Sequence, residues 1–316
     1  MLDPGLEHIH RHGRVWRASN KRRRLINEAV LDGMFIVPAV LLFLFAPSEG
    51  WASPWVVASL LGVFVLGTLV RFEIGSGSTS PLELVLVPMW FAVPPAWLPV
   101  VVGSGLVLGG VVEHLRDRPE TPIWSSVFYA GDAWPAIGPA IVFAFAGAPE
   151  ATLDAVPIVV AALAAQFTID IGVSLFTSWY LHRIRPSIQL KLLVWIATVD
   201  ASLAPVGFVT AVVMAHGSVA IIALVPLIAI IGEFARERSE RLEQALQLSS
   251  AYRGTAQLMG DVLEADDAYT GGEHTQGVVD MAIEVGLELR LDPRQMRDLE
   301  FGALLHDIGK LRVPNE

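Results

Sequence analysis

A histidine, His274, is followed 32 residues later by an adjacent His306-Asp307 pair and then by Lys310. Two imidazoles and a carboxylate able to bridge two ions are donors for hard or borderline divalent metals. A dinuclear centre of that kind activates water for attack on phosphorus near neutral pH. Lys310, one turn further on, would hold a phosphate oxygen as a point charge. The chain has no cysteine, so disulfides and thiolate metal sites are excluded, and imidazole, carboxylate and water remain as ligands. Iron or manganese is favoured on that ground. A His-Asp dipeptide alone says little, because it arises by chance in many proteins.

Helices must carry these residues. Thr270 and Glu273 have capping-box spacing, which predicts a helix start near Gly271 with His274 in the first turn. Val278, Met281, Ala282, Val285 and Leu289 follow at helical spacing as the expected buried stripe. A second helix is expected from Asp292, with Pro293 at its first position and Gln295 completing a capping box. It would bury Met296, Leu299, Ala303 and Leu304 and bring His306-Asp307 to its far end, before Gly309. Adjacent helix positions point about 100° apart, so His306 and Asp307 share a metal only if other helices close the site. His274 is the obvious partner.

YTGGEHTQGVV followed by LEFGALLHDIGKLRVPNE resembles the opening of an HD-GYP domain, the branch of the HD phosphohydrolase superfamily that hydrolyses cyclic di-GMP. The resemblance covers about Gly260 to Glu316. It implies that His274 is the first metal histidine, His306 and Asp307 the HD dyad, and Lys310 a phosphate-contacting lysine. Some members place a glutamate four residues before the first histidine to add a third metal; Thr270 stands there, which implies two divalent ions. Family members continue with further histidines, a late metal aspartate and the Gly-Tyr-Pro signature, none of which follows Lys310. Three ligand residues on two helices cannot enclose two metals. The expectation is therefore a fragment or truncated product, inactive as a phosphodiesterase by itself.

Of the 316 residues, 53% are hydrophobic and 17% charged, with mean hydropathy +0.53. That composition points to a membrane protein. Apolar stretches run approximately over 29–46, 51–70, 82–93, 97–113, 124–147, 153–181, 190–215 and 217–233. The third and fourth are short and joined by Pro94-Pro95-Ala96, so they are either two tilted helices or one re-entrant hairpin. Basic residues occupy the N-terminal segment and alternate breaks, at Arg71, Arg116, Arg118, Arg183, Arg185, Lys191 and Arg236. The breaks between them (Pro47 to Gly50, Pro94 to Ala96, Gly147 to Asp154, His216-Gly217) have none. Basic residues are retained on the cytoplasmic side, which predicts both termini inside and an even number of crossings, eight or six with a hairpin. The basic run before the first span therefore reads as an orientation signal, not as a site for a nucleic acid polymer. No cleavable secretory signal is recognisable.

Carboxylates inside apolar spans cost on the order of 2.5–3.5 kcal/mol each at mid-membrane. Asp32, Asp132, Asp170 and Asp200 are such residues, and Asp132, Asp170 and Asp200 are the candidates for intramembrane sensing of a ligand, proton or ion. Alternatively, Thr168, Ser174 and Ser202 satisfy them locally.

About −8 of the net charge of −10 falls from Glu233 onward, where the composition changes to that of a soluble acidic module. Residues 234–265 read as one long helix, with Leu242, Ala245, Ser249, Tyr252, Ala256, Met259 and Leu263 as a weak coiled-coil seam. The expected fold is all-α. It comprises a basic N-terminus (1–28), a bundle of about eight spans (29–233), a connector helix (234–265) and a partial HD-type domain (266–316). The expected function is a multi-pass inner-membrane sensor, homodimeric through the connector, with a cyclic-dinucleotide phosphodiesterase output and an unknown sensory ligand. Two alternatives are a non-enzymatic regulator with a vestigial HD segment and a transporter with a regulatory tail.

Overall fold

The computed structural model describes residues 21–309, apart from 75–76, 118–121, 183–185, 218, 267–273 and 307. Helices dominate: α1 (Lys21–Phe45), α2 (Pro54–Thr68), α3 (Glu83–Ala92), α4 (Leu98–Asp117), α5 (Ile137–Ala146), α6 (Val156–His182), α7 (Pro186–Met214), α8 (Ala220–Asp266), α9 (His274–Glu288) and α10 (Pro293–Leu304). Between α2 and α3 lies a small antiparallel hairpin of β1 (Phe72–Ile74) and β2 (Gly77–Thr79), in register Phe72 with Thr79. It is a departure from the all-helical expectation. Ile123–Ala136, expected as the first half of a regular span, winds in tight 3-10 turns before passing into α5.

Leu98–Arg116, Ile123–Ala146, Leu153–Tyr180 and Gln189–Met214 are long and apolar enough to cross a membrane. Gly33–Phe45, Pro54–Thr68 and Glu83–Ala92 are shorter apolar helices. Only 17% of the apolar window is buried in each of the helices around Asp170 and Asp200, so most of their apolar surface faces outward, as in a protein solvated by lipid. Phe45, Trp55 and Phe145 are almost wholly exposed.

The helix α3 is the opposite case. Nine of its ten residues are buried, because a helix apolar on every face finds no polar side to turn to solvent. At about 1.5 Å per residue it is some 15 Å long, half the thickness of a bilayer core of about 30 Å. It packs chiefly on α7 and α2, and Leu60, Phe64, Trp90 and Phe143 close the core around it.

Two of the four breaks that lack basic residues meet: Ala52 N donates to Ala92 O at 2.9 Å, Ala96 N donates to Pro47 O at 3.2 Å, and Trp97 packs on Trp51 and Phe43. Elsewhere Arg71, just past α2, pairs with Glu113 near the end of α4 at 2.7 Å. Gly147 ends α5 in the left-handed conformation at φ 74°, which glycine adopts without a Cβ penalty.

The chain divides into two compact units inside α8, between Arg236 and Glu237. In the second unit α9 and α10 pack as an antiparallel pair. Gly286 lies so close to Leu299 and Met296 that a Cβ there would come within 2.9 Å of their side chains. The expected capping box at Asp292 is present: its Oδ1 accepts from Arg294 N at 2.8 Å and Gln295 N at 3.0 Å, while Gln295 accepts from Asp292 N.

Candidate functional site

Two places carry chemistry, one in each unit. In the second unit His274 opens α9, and His306 lies two residues past α10. His306 Nδ1 is 2.8 Å from the Ala303 carbonyl oxygen. A carbonyl can only accept, so Nδ1 is the donor in this bond. A backbone bond of this kind fixes the tautomer in which an imidazole ligates metal through Nε2. Imidazole and carboxylate are donors suited to a divalent ion, and of the expected ligands His306 is the one whose side chain is described. Asp307 and Lys310 lie outside the described residues, as does the side chain of His274, and among the described residues no group of three His, Asp or Glu is arranged to hold a metal.

The surroundings of His306 are well defined. Ala303 and Leu304 are buried against Val279 and Ala256, with Val278, Ala282, Ile283 and Phe301 packed around them. Arg253 on α8 pairs with Glu300 on α10 at 2.9 Å. The expected stripe on α9 is corrected: Val278 and Ala282 pack inward, but Met281, Val285 and Leu289 are exposed. The inward face is the neighbouring one, through Thr275, Val279 and Gly286. Of the connector seam, Ala256 is buried. Ala245, Ser249, Tyr252 and Met259 are exposed and line a groove of about 510 Å³ with Phe301 and Leu305.

The second place is inside the helix bundle. Asp170 is the fifteenth of 27 residues in α6 and Asp200 the fifteenth of 29 in α7, so both carboxylates sit at mid-helix. Both are partly buried. Thr79 at the end of β2 donates its hydroxyl to the Asp200 carboxylate, 3.1 Å from Oδ1 and 3.2 Å from Oδ2. Of the three local hydroxyls that could have served the aspartates, Thr168 donates instead to Ala164 O and Ser202 to Val199 O, each within its own helix.

A third carboxylate completes the group. Glu83, the first residue of α3, is 5% exposed. It accepts a hydrogen bond from Gln166 Nε2 at 2.5 Å, and the Asp200 and Asp170 carboxylates act on it electrostatically. Asp132 is exposed on the 3-10 segment and is not among the carboxylates that act on Glu83. The side chain of Asp32 lies outside the described residues.

Small residues make this convergence possible. A Cβ on Gly207 of α7 would come within 2.5 Å of the Glu83 carbonyl oxygen, and one on Gly138 of α5 within 2.6 Å of the Gln166 backbone nitrogen. Close backbone approach at glycine is a usual way for membrane helices to pack. It seats α3 on α7 beside Glu83, and α6 on α5 beside Gln166.

The fold and these sites define a helical protein with membrane-length apolar helices, a buried carboxylate group, and a helical second unit bearing histidines. Compared with family models, with characterised proteins and with solved structures, the chain matches none.

Proposed function

We propose that this protein is a multi-pass inner-membrane sensor with both termini cytoplasmic, whose output is a metal-dependent phosphodiesterase acting on cyclic di-GMP. The observation that carries the reading is the run EHTQGVV and ALLHDIGK, of which His274–Val279 and Ala303–Leu304 lie on two packed helices and the His306 ring bonds back to the Ala303 carbonyl through Nδ1. His274, His306 and Asp307 would hold two divalent ions, iron or manganese, and Lys310 a phosphate oxygen of the cyclic dinucleotide. Bound there, the ions would supply Lewis-acid activation of water and of the phosphodiester. The chain's own part is to orient the imidazoles and to exclude competing ligands.

The coupling has a physical path. The 47-residue helix α8 begins in apolar sequence and runs to Asp266, eight residues before His274. Its exposed face through Ala245, Ser249, Tyr252 and Met259 is the surface proposed to pair with a second copy. The inside location of both ends rests on the segregation of basic residues, and the meeting of the Pro47 and Pro94 breaks at one end agrees with it.

Metal stoichiometry tests the assignment. The protein is expected to carry about two iron or manganese ions per chain, and His274→Ala to lose them with folding intact. Full metal content in His274→Ala would remove the assignment. A transporter with a regulatory tail is the second reading, favoured by the mid-helix carboxylates beside the half-length helix α3; solute flux abolished by Asp200→Asn would distinguish it.

A further inference from the structure

We propose that Glu83 is a proton-binding group of the helix bundle, held as a carboxylic acid that donates from Oε2 to the Gln166 amide oxygen. The proposal deepens the sensory half of the function above and rests on that reading only for its consequence. Its footing is hydrogen-bond accounting at two buried side chains.

Glu83 and Gln166 are 5% and 2% exposed. Gln166 Nε2 donates to Glu83 Oε1. Glu83 Oε2 and Gln166 Oε1 are then both buried with no hydrogen-bond partner. Each is an acceptor, and a hydrogen carried on Glu83 Oε2 is what would let one of them donate to the other. A primary amide and a carboxylic acid are complementary in this way: the amide N–H donates to one acid oxygen while the acid O–H donates back to the amide oxygen. A single proton satisfies both orphaned atoms. Ionised Glu83 satisfies neither, and a buried acceptor without a donor is destabilising.

Among the described residues, the neighbours offer no other source of positive charge. The facing helices α2 and α5 contain no ionisable residue. From α7 and α6 the facing groups are Asp200 and Asp170, with Lys191 nine positions along α7 from Asp200. On α4, Glu113, His114, Arg116 and Asp117 occupy the last turns, where Glu113 already pairs with Arg71. From β2 the Thr79 hydroxyl is given to Asp200. A metal ion needs several converging ligands, and among the described residues no three His, Asp or Glu are so arranged. A proton needs only this acid and this amide.

Binding takes one proton from water onto Glu83 Oε2, and release returns it. Release leaves a negative charge facing Asp200 and Asp170, at the point where α3 is seated on α7 by Gly207. That repulsion would loosen α3 from α7, the helix that precedes α8.

Infrared difference spectroscopy on the whole chain in lipid nanodiscs tests this without any enzymatic turnover, so a failed phosphodiesterase reading would leave the result readable. Glu83→Gln should remove one protonated-carboxyl carbonyl band, one that shifts in heavy water and disappears as pH rises. Asp170→Asn should leave that band in place. The Glu83→Gln amide can donate and accept as the acid does, so its thermal midpoint should depend less on pH than that of the wild type. The wild-type midpoint should be high at acidic pH and fall as the proton is lost. Glu83→Ala should be less stable throughout. A band set unchanged by Glu83→Gln, or a wild-type midpoint set by sodium at fixed pH, would overturn the proposal.

Discussion

Thr79, the last residue of β2, donates its hydroxyl to the carboxylate of Asp200, 121 residues further along the chain, at 3.1 Å. The bond fastens the hairpin to the midpoint of α7, one of four helices among the described residues that are long and apolar enough to cross a membrane. A carboxylate there needs a donor, because no bulk water competes for it. The hairpin therefore supplies a hydrogen-bonding group and also leads the chain to the buried start of α3.

Thr79→Val keeps the shape and removes the donor. A hydrogen bond to a charged group contributes about 1.5–3 kcal/mol, so thermal unfolding in detergent should register a loss near the lower end of that range. Thr79→Ser should restore most of it. Equal destabilisation by Val and Ser would mean that the methyl group, not the hydroxyl, matters.

Gly207→Ala places a methyl group 2.5 Å from the Glu83 backbone oxygen. Backbone atoms cannot rotate aside as a flexible side chain does. Overpacking of this kind costs about 1–3 kcal/mol. The variant should unfold at lower temperature than Gly217→Ala, where no atom lies within 4 Å of the added carbon. Matching midpoints for the two would contradict the packing described.

Much of this architecture is legible in the sequence. The eight apolar stretches map onto α1 to α7 and the first part of α8, and the Asp292–Gln295 capping box starts α10 as its spacing predicts. Glu83 was not among the expected intramembrane carboxylates, since it stands at the edge of an apolar run and reads as a boundary residue. The available signal was ELVLVPMWFA, ten residues apolar on every face after the first and too short to span. Gln166, uncharged, gave no warning. On α9 the largest side chains drew the stripe to Met281, Val285 and Leu289, whereas packing uses Gly286, where Met296 and Leu299 approach closely. Small residues that permit contact carry no hydrophobic signature. Tight 3-10 turns over Ile123–Ala136 share the apolar composition of an α-helix, so pattern alone does not separate the two.

Rigid transmission along α8 makes a phase prediction. Insertion of four residues near Ser249 rotates everything beyond it by about 40°, at roughly 100° per residue, and shifts the exposed seam out of line. The complete protein should lose its response to the sensed signal while its basal hydrolysis persists. An unaltered response would rule out a rigid helical path. Insertion of seven residues, close to two whole turns, should largely restore coupling.

Hydrolysis of cyclic di-GMP by the protein in nanodiscs with manganese is the most direct measurement of the central claim. The wild type should turn the dinucleotide over, and Asp307→Asn, with the same fold but a neutral amide in place of the carboxylate that would hold metal, should lose turnover by at least about 10³-fold together with its metal. Normal hydrolysis by Asp307→Asn, or no hydrolysis by a metal-loaded wild type, would contradict the account.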